Sequence, residues 1–238
     1  MFPYDPRIAA AVQDPPSSIC GVLTLMQTID ATCQPSDGLK WFNWLYMQVT
    51  QAVKAKVDAG AFQDGAWLTE LDIQFATLYF GALSAQLSGG QCPACWGSMF
   101  AKRNVVNISR IQFALAGMNA HIDHDLPMAI VSACRWANVA PGRGTAQYTD
   151  YTAINSVLDG LIDSAKKTLN LTLPGDVLPK VSHVEDMIAG WDLAEFREQA
   201  WNTAQCLWPE PAGAQSMRMD VIDTLVAGMN KLLLVRAL

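Results

Sequence analysis

Apolar positions recur every three or four residues along nearly the whole chain, and clusters of Pro and Gly interrupt that rhythm. Such a period lays one apolar stripe along each segment and predicts α-helices. The first runs from Ser17 towards Cys33 and ends at Gln34-Pro35. Ser36 or Asp37 caps the next, which extends through Val49 to Lys56, because either side chain accepts from the free N–H groups of a first turn. Asp64-Gly65 opens a helix over Ala66–Leu87, closed by Gly89-Gly90, and a shorter helix covers Trp96–Lys102. A central helix begins near Asn107, passes His121 and breaks at Leu126-Pro127, with a continuation to Trp136. Residues 138–147 read as a flexible loop, and helices follow over Asp150–Thr168, Val184–Leu207 and Ala212–Val235. Only Leu169–Leu173 looks strand-like. With no internal repeat and no separating linker, the pattern predicts one all-α domain over residues 1–238. It is a bundle of about seven to nine helices, with residues 1–16 as an irregular N-terminal arm.

Composition adds a large core to this picture. Of 238 residues, 51% are hydrophobic and 16% charged, and eight Trp, eight Phe and ten Met supply enough apolar bulk to line a cavity as well as fill an interior. The net charge of −6, with scattered Lys and Arg, argues against nucleic acid as a partner, since phosphates require clustered cations. The start, Met1-Phe-Pro-Tyr-Asp-Pro-Arg7, lacks the basic and apolar regions of a signal peptide. No run reaches the roughly 18 apolar residues of a membrane helix. A cytoplasmic location is expected, and the six Cys fit it as reduced, mostly buried thiols. Cys92-Pro-Ala-Cys95 sits in a Gly/Pro loop with no second Cys or His pair at finger spacing, which speaks against both a zinc finger and a redox motif.

The densest chemistry lies in Asn119–Pro127. His121 and Asp125, four apart, share one face of a helix, and His124 lies three from His121. This is the geometry of a carboxylate-oriented general base or of a metal site. Ala114, Gly117 and Met118 share the His121 stripe, so the imidazole points inward. His124 is placed at the rim. Pro127 cannot donate to Asp123, so the helix kinks or ends just beyond Asp125. On the preceding long helix, Asp72 lies on the apolar stripe of Leu68, Phe75, Tyr79 and Leu83, where a carboxylate needs a partner. Arg197 lies on a stripe with Ala194, Trp201 and Ala204 and suits either an internal salt bridge or a substrate role. Tyr46 and Tyr79 add hydroxyls that reach a cavity or simply pack. Asn119, about 200° around the helix from His121 at 100° per residue, faces a neighbouring helix. Asp37 reads as a helix cap, and His183, beside Glu185 and Asp186, as a solvated cap region.

The run Asn119-Ala-His-Ile-Asp-His-Asp-Leu-Pro127 resembles the hallmark Asn-Ala-His-Ile-x-x-Asp-Leu-Pro of an uncharacterised all-helical family of bacteria and fungi. The resemblance extends to Asp37–Tyr46, to Leu71–Phe80 and to the Arg197…Trp201 spacing, and so covers residues 36–208. Asn119, His121, Asp125, Pro127, Asp37, Asp72 and Tyr79 match its pattern, and His124 occupies a variable position. The resemblance implies a helical fold and supplies no reaction. More loosely, His121-x-x-x-Asp125 followed by Pro127 is similar to a metal-binding element of zinc-dependent phospholipases C, although three histidines are too few for their trinuclear site. The adjacent His124-Asp125 is similar to histidine–aspartate phosphohydrolases, but no earlier histidine precedes His121.

Three functions remain open. The first is an enzyme acting on an apolar small molecule, a hydrolase or a cyclase/isomerase of secondary metabolism. In it His121, Asp125 and Asp72 are catalytic, and Asn119, Tyr79, Tyr46, Arg197 and Trp41 bind substrate. The second is a mononuclear metal-dependent hydrolase with one divalent cation on His121, Asp125 and Asp72. The third is a non-catalytic binding or interaction protein, in which the polar cluster locks helix packing. No nucleotide or flavin signature is present.

Overall fold

The architecture is a computed structural model that describes residues 2–170, 190 and 192–236. Its elements are α1 (Asp5–Ala11), α2 (Ile19–Thr32), α3 (Gly38–Asp58), α4 (Gly65–Leu87), α5 (Ala94–Phe100), α6 (Arg110–Asn119), a π-helical turn (Ala120–Asp125), α7 (Leu126–Trp136), α8 (Ala146–Ala153), α9 (Asn155–Asn170), α10 (Leu193–Leu207) and α11 (Ala212–Leu233). No strand occurs among the described residues, and the all-α expectation holds.

The rod formed by α6, the π turn and α7 is the centre of the bundle. Every residue from Ile111 to Asn119 is buried, which a helix tolerates only when neighbours cover it all round. α3 packs on α6, α4 and α10 on α7, and α11 crosses the π turn while also holding α5. The α3–α6 contact is closest where two glycines meet two rings. A Cβ on Gly117 would stand 2.3 Å from Phe42 Cγ, and one on Gly38 would stand 2.4 Å from the Phe113 ring. Each glycine is thus the notch that seats the other helix's phenyl ring.

The predicted caps are in place. Asp37 Oδ1 accepts from Leu39 N at 3.0 Å and Asp64 Oδ1 from Trp67 N at 3.0 Å, as the first-turn rule requires. Asp37 does more than cap: Arg103 Nε donates to its Oδ1 at 2.8 Å, Arg103 Nη2 pairs with its Oδ2, and Tyr4 Oη donates to Oδ2 at 3.0 Å. Arg103 Nη1 also meets Asp5 Oδ1 at 3.0 Å. This buried ion cluster corrects the expectation of an irregular arm over residues 1–16. α1 docks through Ile8 and Val12, both buried, with Asp5 and Tyr4 tied to Arg103 and Asp37.

Three further boundaries differ from the pattern. α9 continues through Leu169 and Asn170, where a strand-like run was expected, because Leu169 extends the buried stripe of an amphipathic helix; residues 171–173 lie outside the described residues. α10 is described from Leu193, and the remainder of the helix expected from Val184, together with His183, lies outside them. The loop at 138–147 is pinned rather than free: Arg143 binds Glu198 and donates to Asn202 Oδ1 at 2.8 Å, and Thr145 caps α8. No helix among the described residues is long and apolar enough to cross a membrane.

Candidate functional site: a buried His–Asp–His cluster in a π turn

Pro127 has no N–H to give the Asp123 carbonyl. The helix was expected to kink or end there, yet it continues. The strain is taken up one turn earlier, where Ala120–Asp125 widens into a π turn and Leu126 N–H bonds the His121 carbonyl five residues back. Pro127 then sits in the first turn of α7, where a missing donor costs nothing. Single π turns inside α-helices are frequent at functional sites. Here the widened turn gathers His121, His124 and Asp125 at one depth.

Asp125 is the hub. Its Oδ2 lies 3.0 Å from His121 Nδ1 and accepts from Trp96 Nε1 at 3.0 Å, while its Oδ1 lies 2.8 Å from His124 Nδ1. Burial alone would push this carboxyl up, but the hydrogen bonds from His121 and His124 outweigh it and hold the pKa below the ordinary carboxylate value. An ionised carboxylate only accepts, so both Nδ1 atoms carry a proton, and in the neutral form of either ring Nε2 presents a lone pair. The two imidazoles then diverge. Burial keeps His121 below the ordinary histidine range despite Asp125. For His124, burial also favours the neutral form but is outweighed by the Asp125 hydrogen bond and charge and by Asp223 and Asp220, so its pKa is raised.

His121 is caged by rings. Phe75 stacks flat on it with centroids 3.4 Å apart, Tyr46 meets it edge-on at 4.4 Å, and Phe42, Trp96 and Tyr79 stand 5.7, 5.8 and 6.2 Å away. Inside this cage its Nε2 is buried without a hydrogen-bond partner.

Beyond the cage lies a cavity of about 50 Å³ whose lining includes Tyr46, Leu71, Asp72, Phe75, Leu126 and Arg197. Asp72 Oδ2 and Tyr46 Oη are also buried and unpartnered. Burial pushes the Asp72 carboxyl up to about 7 and the Tyr46 phenol well above its ordinary value, the latter helped by the Asp72 charge. Arg197 borders the cavity but answers no carboxylate among the described residues. Its Nε donates to Asn155 Oδ1 at 2.8 Å, its Nη2 to the Tyr151 carbonyl at 2.7 Å, and its guanidinium lies 4.0 Å over the Tyr151 ring. Among the described residues the internal salt bridge read for it is not formed.

The structure therefore brings His121, Asp125, Tyr46, Asp72 and Arg197 into one region, in two adjoining parts. It does not assemble His121, Asp125 and Asp72 as metal ligands. Asp125 Oδ2 is filled by His121 and Trp96, its Oδ1 is turned to His124, and Asp72 comes from α4 onto a cavity that His121 does not line. Among the described residues one trio of metal-ligating side chains does converge, and it is a different one: Cys95, His124 and Asp223. Of the other substrate-binding candidates, Trp41 and Asn119 lie elsewhere, and Tyr79 stands in the ring cage with its hydroxyl on Asn43. Trp41 is on the flank, donating to the Pro35 carbonyl at 3.1 Å under the Arg110 guanidinium. Asn119 donates to Asn230 Oδ1 on α11 at 3.3 Å, joining helices as its angular offset implied. Tyr79 is fully buried and donates to Asn43 Oδ1 at 3.3 Å.

Sequence reasoning missed His124, placed at the rim but 6% exposed and bonded to Asp125. It also missed Trp96, Phe75 and Asp223. Phe75 shares the Asp72 stripe and could have been named from it. Nothing in spacing links Trp96 or Asp223 to Asn119–Pro127, because only the packing of α5 and α11 on the π turn brings them there.

The chain matches the family described as "Family of unknown function (DUF5995)" over residues 19–236, and it belongs to that family. The resemblance read from the Asn119–Pro127 run agrees with this assignment. No curated protein and no solved structure matches the chain.

Proposed function

We propose that this DUF5995 member is an enzyme that moves a proton on an apolar small molecule bound between α3, α4 and α7, as an isomerase, cyclase or hydrolase. One observation carries the reading: His121 Nε2 is buried, neutral and unpartnered while its Nδ1 is fixed by Asp125. Buried polar atoms without partners are rare and mark places where a ligand or water completes the set. Here His121 Nε2 is accompanied by Asp72 Oδ2 and Tyr46 Oη.

The chemistry follows from the protonation states. Nε2 takes a proton from the substrate, and Asp125, already ionised, stabilises the imidazolium that forms. Asp72, protonated up to a pH of about 7, returns a proton to the developing negative charge. The Tyr46 hydroxyl orients that end, and the ring cage keeps bulk water out. A general base and a general acid each contribute on the order of 10²–10⁴ in rate. The cavity of about 50 Å³ has room for a few waters at roughly 10–15 Å³ each, so a substrate enters only when Phe75 or Tyr46 swings aside.

That small volume favours a second reading, a non-catalytic small-molecule binder whose polar cluster locks the helices. Incubation with pooled apolar carbonyl compounds and esters in deuterated water, read by mass spectrometry, separates the two. The enzyme reading expects a compound converted or deuterated by the wild type and left unchanged by folded His121→Ala and Asp72→Asn. Conversion at equal rates in those variants would falsify it, and compounds bound but unaltered would establish the second reading.

A further inference from the structure

We propose that Cys95, His124 and Asp223 form a binding site for one divalent cation of the zinc class, separate from His121 and from the cavity beside Asp72. Cys95 opens α5, His124 belongs to the π turn and Asp223 lies midway along α11. One ligand atom from each lies within 4.8 Å of the other two. Metal–sulfur and metal–nitrogen bonds of about 2.3 and 2.0–2.1 Å place tetrahedral ligand atoms roughly 3.3–3.8 Å apart, so a contraction of about 1 Å completes the site.

The surroundings are those of a ligand set already oriented. His124 is 6% exposed, and its Nδ1 is held 2.8 Å from Asp125 Oδ1. The Asp125 contact at Nδ1 leaves Nε2 as the nitrogen available to a ligand. A carboxylate that grips one imidazole nitrogen fixes the tautomer and aims the other nitrogen at a metal. Asp223 is equally constrained: Oδ2 accepts from Ala94 N and Oδ1 from Cys95 N, each at 2.8 Å. Each of its oxygens keeps a second lone pair. The Cys95 thiol, fully buried, faces this carboxylate. A carboxylate and a thiolate supply two negative charges and the imidazole a neutral nitrogen, which matches a borderline-soft dication. On binding, the metal–sulfur bond forms as the S–H bond breaks, and the proton leaves to solvent past the half-buried Asp223. Three protein ligands leave a fourth position for water or substrate.

The test uses cobalt(II) and zinc(II) alone, added to the metal-free, reduced full chain. The expected result is one cobalt per chain, tetrahedral d–d bands and a thiolate-to-cobalt band in the near ultraviolet, all displaced by zinc. The thiolate band should vanish in Cys95→Ser and persist in Cys92→Ser, whose sulfur lies on the Gln86 side chain. Affinity should fall by at least about 10–100-fold in His124→Gln and Asp223→Asn, the range measured even for outer partners of such ligands. Should Cys95→Ser not fold, the wild type answers instead: bound zinc should slow alkylation of Cys95, mapped by peptide mass, and leave exposed Cys20 and Cys206 reactive. Absence of stoichiometric binding, a thiolate band unchanged in Cys95→Ser, or no protection of Cys95 overturns the proposal. None of these readouts depends on His121 or on turnover, so the two proposals stand or fall separately.

Discussion

Phe75 lies flat on the imidazole of His121, with ring centroids 3.4 Å apart and planes 5° from parallel. The relationship joins two elements that the sequence separates by 46 positions, and it decides what the histidine is. An apolar ring over one face removes water from it, which is why burial outweighs the nearby Asp125 and keeps the imidazole neutral. Phe75 also walls the cavity that holds Asp72, three residues earlier on the same face of α4. One helix thus supplies both the lid over the base and the carboxyl beyond it.

Removing that lid should open the base. Phe75→Ala is expected to cost about 3–5 kcal/mol, the usual loss for a buried phenyl ring, and to merge the vacated space with the neighbouring cavity. Phenol added to the variant should then stack on the uncovered face of the His121 imidazole and shift its ring resonances. The wild type should show no such shift at the same concentration. An identical response in both proteins would mean that Phe75 does not cover the face of the imidazole.

Trp96→Phe tests the hub. The indole N–H is one of three donors to Asp125, and a hydrogen bond to a charged acceptor contributes about 1.5–3 kcal/mol. Urea denaturation should show a loss of that size, with the helical circular dichroism unchanged. The remaining ring preserves most of the packing, so a loss below about 0.5 kcal/mol would show that Trp96 only fills space.

The helices, their caps and the inward aim of His121 were legible because each rests on local chemistry: a 3.6-residue period, a carboxylate before a first turn, a histidine between small apolar neighbours. Asp72 on an apolar stripe was legible for the same reason, and burial does raise its pKa. What was not legible depends on helix-to-helix packing. His124 looked peripheral because an ideal α-helix turns it about 60° from the His121 face at 100° per residue, and only the π turn brings it onto Asp125. Asp223 lies on a helix with many exposed positions and meets Cys95 across 128 residues of sequence. Arg103 carries no local signal of its role, because its partners Asp5 and Asp37 come from α1 and the start of α3. Trp41 failed for the opposite reason: membership of a matched run says nothing about which side of the helix faces the cavity.

The glycine notch gives a sharper packing test. Gly117→Ala puts a methyl 2.3 Å from Phe42 Cγ, in a ring that is fully buried and therefore cannot retreat. Overpacking of this kind costs about 1–3 kcal/mol. Because Phe42 also stands 5.7 Å from His121, any turnover should fall with the stability. Thermal denaturation checks the first effect. Gly213→Ala, at a position with open space around it, should leave the midpoint nearly unchanged or slightly raised.

Asp72 makes the pH dependence of stability distinctive. Its carboxyl titrates near 7 in the folded chain against an ordinary value of 3.8, because burial penalises the charge. Between those values the folded state holds a proton that the unfolded state has lost. The unfolded chain then binds fewer protons, so stability falls as pH rises, by up to about 1.4 kcal/mol per pH unit from this group. The stabilising contribution is complete below about pH 4 and gone above about pH 7. Asp123, also pushed up to about 7 by burial but partly exposed, adds a smaller slope of the same sign. Asp72→Asn removes the first contribution while keeping the shape of the side chain. Denaturant titrations from pH 4 to pH 8 should therefore show the wild type losing stability relative to the variant across that window, with the variant the more stable of the two at pH 8. Parallel curves would mean that Asp72 is ionised in the folded protein and compensated by a group that does not appear beside it.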